Sequence, residues 1–257
     1  MSFGAIASDY DRLRPGPSPE AVDWLLPARR GVIVDLAAGT GLLSRALAGK
    51  AGHVIAVEPD ERMRSVLQDR SPGVEVLAGR GEAIPLPDAS ADVVLVSSAW
   101  HWMDPELAVP EIARVLRDHG RFGVLWNSRD LSVPWMRADE WFRTDELPPD
   151  TPARPAEPAS GTPAPGSTEW GGRHVPLPDP GGFENIETAV FRFSRWMTPS
   201  DLVDMMTTYS RIITAGPDVR DAGRDRARAA LAAEFPGATE IEVPMRSRCW
   251  RADRVPR

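Results

Sequence analysis

Apolar and polar positions alternate in blocks along the first half of the chain. Gly31–Leu36 (GVIVDL), His53–Glu58 (HVIAVE), Val74–Leu77, Asp92–Ser97 (DVVLVS) and Arg121–Asn127 (RFGVLWN) are short runs rich in β-branched residues. They are almost continuously apolar, the pattern of parallel strands covered on both faces. Amphipathic stretches lie between them. Gly41–Gly49 sets Leu42, Leu43, Ala46 and Leu47 along one stripe. Asp60–Asp69 follows Pro59 and opens with acidic residues, which suits a helix start. Pro105–Arg117 places Val109, Ile112 and Leu116 three and four apart, with Asp104 ahead of it as an N-cap. Repeated strand–helix–strand units predict right-handed crossovers and a doubly wound α/β sheet of Rossmann type.

The pattern changes after Asn127. Pro134–Phe142 predicts a short helix, and Leu147–Pro180 is rich in Pro, Gly, Ala, Ser and Thr without periodicity. Strand-like sequence resumes at Glu187–Trp196 and needs a sheet to join, so the segment reads as an inserted lid rather than an interdomain linker. Pro199–Ala215 and Asp221–Phe235 read as helices and Glu240–Trp250 as a last strand. The expected organisation is one domain over 1–257. Residues 1–30 form a helical cap, 31–127 the ligand-binding core, 128–185 the Pro-rich lid, and 186–257 the C-terminal strands and helices.

Composition narrows the function. A net charge of −7 with no basic stripe argues against a nucleic-acid partner. The start, MSFGAIASDYDRLRPGP, has no basic segment followed by an apolar run, and no stretch nears the roughly 20 apolar residues of a membrane span. A soluble, cytoplasmic protein is expected, with no membrane partner. Cys249 is the only cysteine, and His53, His101, His119 and His174 are scattered, so no metal is expected.

The chemistry-bearing stretch is Asp35-Leu36-Ala37-Ala38-Gly39-Thr40-Gly41, between a strand and a helix. Gly39 and Gly41 permit a tight turn and close approach to a ligand. The following helix start offers unpaired N–H groups. Asp35 sits at the carboxyl end of its strand, where open α/β sheets bind ligands. Glu58 ends the second strand and can accept from both hydroxyls of a ribose. Glycine loop plus distal acid reads as a nucleoside-cofactor site.

DLAAGTG, the leader YDRLRPG (Tyr10–Gly16), EPDERM (Glu58–Met63), GRGEAIPLPDASADVV (Gly79–Val94) and SSAWHWMDP (Ser97–Pro105) together resemble the class I S-adenosylmethionine-dependent methyltransferases, in particular the small-molecule type 11 branch. The resemblance implies a seven-stranded sheet, mostly parallel with an antiparallel last strand. It implies S-adenosylmethionine as methyl donor, S-adenosylhomocysteine as product and a small-molecule acceptor. Asp35 would face the ammonium end of the methionine. The loop of Ala37, Gly39, Thr40 and Gly41 would pass along the methionyl and ribose portion, and Glu58 would take the ribose hydroxyls, with Pro59 and Met63 bordering them. Arg80, Gly81 and Glu82 would border the adenine, with Arg80 where many relatives carry an aspartate. Ser98, Ala99 and Trp100 would line the methyl-donating face. Tyr10 and Arg14 would close over the methionine carboxylate.

His101 is the candidate general base, since a neutral imidazole can take a proton from a hydroxyl or amine nucleophile. Trp102, Arg129 and Tyr209 are candidate acceptor contacts, with Met205 and Met206 beside Tyr209 as wall or core. Two alternatives stand. The chain could bind the cofactor without catalysis. Alternatively, Gly39-Thr40-Gly41-Leu42-Leu43-Ser44 could be a nicotinamide-dinucleotide loop, although Asp35 would then oppose an anionic pyrophosphate. The arginines of 220–228, interleaved with Asp221 and Asp225, read as a solvated helix face with i,i+4 pairs.

Overall fold

The structure is a computed structural model that describes residues 3–136, 141–142 and 182–256. The Pro-rich segment 147–180, with His174, lies outside the described residues, as does much of the expected 128–185 lid. In chain order the named elements are α1 (Ala7–Leu13), α2 (Pro19–Leu25), β1 (Val32–Leu36), α3 (Leu42–Leu47), β2 (His53–Glu58), α4 (Glu61–Arg70), β3 (Glu75–Ala78), β4 (Ala91–Ser97), α5 (Pro105–Val115), β5 (Leu116–Arg129), β6 (Phe183–Met197), α6 (Pro199–Thr207), α7 (Ser210–Ile213), α8 (Pro217–Glu234) and β7 (Ile241–Arg254).

Seven strands form one sheet in the order β3-β2-β1-β4-β5-β7-β6, with β7 antiparallel, as the resemblance implied. β1 pairs in parallel with β2 on one side and β4 on the other, so strand order reverses between β1 and β4. Ligands bind at the carboxyl ends of strands at such a reversal. Four of the described helices begin on side-chain caps, α6 on Thr198, which accepts from the Asp201 amide. Ser18 accepts from the Ala21 amide, Asp60 from those of Arg62 and Met63, and Asp104 from that of Glu106.

The chain divides into two compact units. The larger comprises 16–127, 162–191 and 247–257. Its sheet separates two apolar clusters, because side chains alternate across a strand. Val34, Leu36, Val94 and Val96 pack with Ala108, Val109, Ile112 and Val115 of α5. Ile33, Val93 and Leu95 pack with Ala21, Val22 and Leu25 of α2 and Leu43 and Leu47 of α3. Asp35 shares the register of Ile33, so it faces the α2–α3 side. The smaller unit comprises 1–15, 128–161 and 192–246. Its core joins Leu13, Met136, Trp141 and Phe142 to Leu202, Met205, Met206, Ala227 and Leu231 of the C-terminal helices. The two helices of the expected N-terminal cap, α1 and α2, fall in different units.

Several boundaries differ from the sequence reading. β5 begins at Leu116, directly after α5, and its pairing with β4 shifts register between Ala91 and Val93 while the chain turns through His119 at φ 62°. Residues 199–215 form two helices, α6 and α7, instead of one. Pro134–Met136 is a 3-10 turn, and residues 137–140 of the expected helix lie outside the described residues. On α8 Asp221–Arg224 and Asp225–Arg228 are ion pairs three residues apart rather than four.

Candidate functional site

The site begins at the carboxyl end of β1. Asp35 is fully buried, and its Oδ2 accepts from the Ser44 hydroxyl of α3 at 2.6 Å. Its Oδ1 is buried with no hydrogen-bond partner. Burial pushes the Asp35 carboxyl up to about 7, Ser44 opposes that shift, and the Glu58 charge adds to it. The Thr40 hydroxyl is likewise buried without a partner. Unpaired buried polar atoms are uncommon and call for a physical explanation. Here they lie beside the loop that the sequence assigns to a ligand.

The loop is held from β2. The Glu58 carboxylate accepts from the Gly39 amide at 2.8 Å and from the Asp60 amide at 2.9 Å. Burial raises its pKa, and the two amide bonds oppose that rise. Arg64 donates to the carbonyls of Glu58 and Pro59, and Arg45 to that of Thr40. Pro59 is exposed, whereas Met63 is buried on α4.

Three loop residues have positive φ: Ala37 at 56°, Gly39 at 58° and Gly41 at 86°. Ala37 therefore carries strain that a glycine would avoid, about 1–2 kcal/mol. Ser98, just past β4, adopts φ 56°, so a second strained residue stands at the same sheet edge. Strain of this kind collects at ligand sites. The two glycines differ. A Cβ on Gly39 would meet nothing within 4 Å, so that backbone faces open space, whereas one on Gly41 would lie 2.9 Å from Leu67 Cγ. Gly41→Ala is expected to cost about 2–4 kcal/mol, from left-handed backbone plus overpacking. Gly39→Ala should cost only the backbone part, about 1–2 kcal/mol. Urea unfolding midpoints of the two variants check this ordering.

After β3, Arg80 is exposed and bridges to Ala83, and Gly81 lies so close to Met103 that a Cβ would sit 2.6 Å from its sulfur. Glu82 accepts from the Asp104 amide at 3.0 Å, tying this turn to the start of α5. After β4, the Ser98 amide donates to Leu125 and Ala99 leads into a 3-10 turn of Trp100, His101 and Trp102. Trp100 is buried and packs on Phe122 with ring centroids 5.3 Å apart. Trp102 is 44% exposed and lies beside the half-buried His101 ring at 5.0 Å.

The other candidates gather in the smaller unit. The Arg14 guanidinium lies 4.2 Å from the Tyr209 ring centroid and 5.2 Å from that of Tyr10. The Arg129 guanidinium lies 5.8 Å from Tyr209 and 6.0 Å from Trp141. Met205 and Met206 are buried in that unit's core. Asp130 is a structural acid: it accepts from Ser132 and Arg192 and pairs with Arg246, and these contacts hold its pKa below the usual range, Ser132 foremost.

A family model described as a methyltransferase domain matches residues 34–124. An uncharacterized methyltransferase of Mycobacterium tuberculosis is 37% identical over 254 residues, spanning 98% of this chain and 95% of that protein. The chain belongs to this methyltransferase family. A methyltransferase-like protein of Schizosaccharomyces pombe is 32% identical over 220 residues, covering 82% of this chain and 78% of that one. Among solved structures, a candidate type II methyltransferase from Anaeromyxobacter dehalogenans superposes with TM-score 0.71 at 23% identity, over 95% of this chain and 99% of that one. That likeness concerns the fold.

Within the methyltransferase, Asp35, Gly39, Thr40, Gly41 and Glu58 lie at the β1 and β2 ends in the larger unit. Tyr10, Arg14, Arg129 and Tyr209 assemble in the smaller unit. Ser44, in the sequence only the last residue of the alternative dinucleotide loop, was not foreseen as the hydrogen-bond partner of Asp35. Its place in the first turn of α3 was the available signal, because that turn packs over the face that Asp35 occupies.

Proposed function

We propose that the chain transfers the methyl group of S-adenosylmethionine to a small-molecule acceptor. The observation that carries this reading is the fully buried Asp35 carboxylate with one unpartnered oxygen, beside a loop whose Gly39 backbone faces open space. A buried anion with spare accepting capacity suits a cationic ligand group, and it disfavours the pyrophosphate of a dinucleotide.

Bound there, the cofactor would supply a methyl carbon made electrophilic by its sulfonium. The chain's residues do the rest. Asp35 accepts from the methionine ammonium. Glu58 already holds the Gly39 and Asp60 amides, so its carboxylate is fixed in orientation and its remaining lone pairs suit two adjacent ribose hydroxyls. The turn of Arg80, Gly81 and Glu82 borders the adenine. Ser98 and Ala99 flank the reacting centre through their backbones, and Trp102 offers an exposed ring to the acceptor. His101 takes the proton that a hydroxyl or amine nucleophile loses as its oxygen or nitrogen bonds to the methyl carbon. Orientation and exclusion of water supply most of the acceleration. Among the described residues, no helix is long and apolar enough to cross a membrane, and no three metal-ligating side chains converge.

Labelled methyl transfer from S-adenosylmethionine across hydroxyl, amine and acid acceptors tests the proposal. With a hydroxyl or amine acceptor, His101→Gln is expected to lower kcat about 100-fold or more and leave S-adenosylhomocysteine affinity unchanged. A near-normal rate in that variant removes His101 from the mechanism. Absence of transfer to every acceptor by a chain that binds the cofactor tightly would favour binding without catalysis.

A further inference from the structure

We infer that Ser44 is a positioning residue for the methyl donor: its hydroxyl holds one oxygen of Asp35 and keeps the other for the ligand's ammonium group. As a statement about the ligand, this rests on the methyl-transfer proposal. As a statement about Asp35, it rests on the larger unit alone.

Ser44 on α3 and Asp35 on β1 are both fully buried. A buried helical serine can satisfy itself on the carbonyl four residues back. Here that carbonyl belongs to Thr40, and it accepts from Arg45 at 2.8 Å. The Ser44 hydroxyl reaches across to Asp35 Oδ2 instead, at 2.6 Å, the length of a charge-assisted bond. A hydroxyl has one proton to give, so one carboxylate oxygen is engaged and Oδ1 stays buried without a partner. The turn that carries Ser44 is fixed in place. Leu43 and Leu47 on either side of it are buried in one cluster with Val22, Leu25 and Ile33. Gly41, which caps α3 at φ 86°, leaves no room for a Cβ against Leu67.

The same hydroxyl governs the charge of Asp35. Burial disfavours the anion, and the Glu58 carboxylate on β2 adds to that effect. Ser44 opposes it through both its hydroxyl and its amide, and the Arg45 guanidinium on α3 helps. The residues beside Asp35 in register, Ala56 of β2 and Leu95 of β4, bring no charge. An ammonium ligand needs the anion. Loss of the donor at position 44 therefore costs affinity even where the fold is intact.

The test is calorimetric titration of Ser44→Ala, Ser44→Cys and Ser44→Thr variants of the full chain at pH 6, 7 and 8.5. The ligands are S-adenosylhomocysteine and methylthioadenosine, which lacks the ammonium. At pH 7, Ser44→Ala is expected to bind S-adenosylhomocysteine about tenfold or more weakly and methylthioadenosine as the unaltered chain does. The pH at which S-adenosylhomocysteine affinity levels off should move up by about one pH unit or more, so the gap narrows at pH 8.5. Ser44→Cys, a weak donor of similar size, should resemble Ser44→Ala, whereas Ser44→Thr, which keeps the hydroxyl, should restore most of the affinity. In an Asp35→Asn background, Ser44→Ala should cost no further S-adenosylhomocysteine affinity. The alanine and cysteine variants decide the matter even if the threonine methyl disturbs the packing. Unchanged S-adenosylhomocysteine affinity in Ser44→Ala, equal loss of both ligands, an unmoved pH dependence, or an undiminished effect in the Asp35→Asn background overturns the positioning role. Thermal unfolding of the ligand-free proteins supplies a reading that needs no ligand. Stability of the unaltered chain should fall as pH rises to about 7, and in Ser44→Ala the fall should continue to higher pH. Failure of S-adenosylhomocysteine to bind the unaltered chain would count against methyl transfer, and the unfolding profiles would still decide whether Ser44 governs Asp35.

Discussion

Asp35→Asn is expected to stabilise the ligand-free protein and to weaken S-adenosylhomocysteine binding about 10- to 100-fold, the worth of one charge-assisted hydrogen bond. The two effects share a cause. The folded Asp35 carboxyl titrates near 7 because it is buried, whereas in the unfolded chain it titrates near the usual carboxylate value. Between those values the folded state holds a proton that the unfolded state has released, so stability falls as pH rises from about 4 to about 7. Above that range the full cost of the buried anion is present, on the order of 2–4 kcal/mol. Asparagine removes that cost and keeps an acceptor for Ser44, so thermal unfolding at pH 8 should shift upward. An ammonium ligand needs the ionised form. Affinity of the unaltered chain for S-adenosylhomocysteine should therefore rise with pH up to about 7 and then level off, and the variant should lose this dependence. Titrations at pH 6 and 8 read both effects.

Glu58→Gln is expected to lower stability by about 1–3 kcal/mol and to weaken nucleoside binding by a similar free energy. Its two oxygens accept from the Gly39 and Asp60 amides. A glutamine can accept at one of these positions and must present an NH2 to the other, so one backbone donor loses its partner. The ribose contact is weakened at the same time. Methylthioadenosine, which has the ribose but no ammonium, separates this variant from the first. Glu58→Gln should weaken both methylthioadenosine and S-adenosylhomocysteine, while Asp35→Asn should weaken only the latter. Equal behaviour of the two variants toward the two ligands would contradict the division of roles.

The central strands were legible because their burial on both faces leaves an almost unbroken apolar run. The helix starts were legible because Asp60 and Asp104 are good capping groups. The outer strands were less so. β5 continues back through Arg117–Gly120 and β7 forward through Arg251–Arg254, where polar side chains hide the strand pattern. Their partners explain them: Arg254 is buried and donates to the Leu116 carbonyl, and Arg251 stacks on Trp24 at 4.1 Å. The break between α6 and α7 carries no Gly or Pro. It comes where the Thr208 amide and hydroxyl turn back to the Met205 carbonyl, a local competition that periodicity does not register.

The candidate site divides in the same way. Asp35, Gly39, Gly41 and Glu58 are set by a loop and two adjacent strands, so sequence spacing reports them. Ala37 adopts a left-handed conformation that suits a glycine, and the strain that goes with it is not visible in the spacing of the motif. Arg14, Arg129 and Tyr209 are brought together by the packing of distant elements in the smaller unit, and no local spacing announces that. Trp100 sits in the same short motif as Trp102, but one ring fills the core and the other is exposed, because a 3-10 turn points neighbouring residues in different directions.

The measurement that tests the central claim most directly is parallel calorimetric titration of the purified chain with S-adenosylmethionine, S-adenosylhomocysteine and NAD. Saturable binding of both adenosyl compounds with none of NAD is the predicted result. Binding of NAD alone would contradict the assignment of Asp35, the glycine loop and Glu58 to a methyl donor.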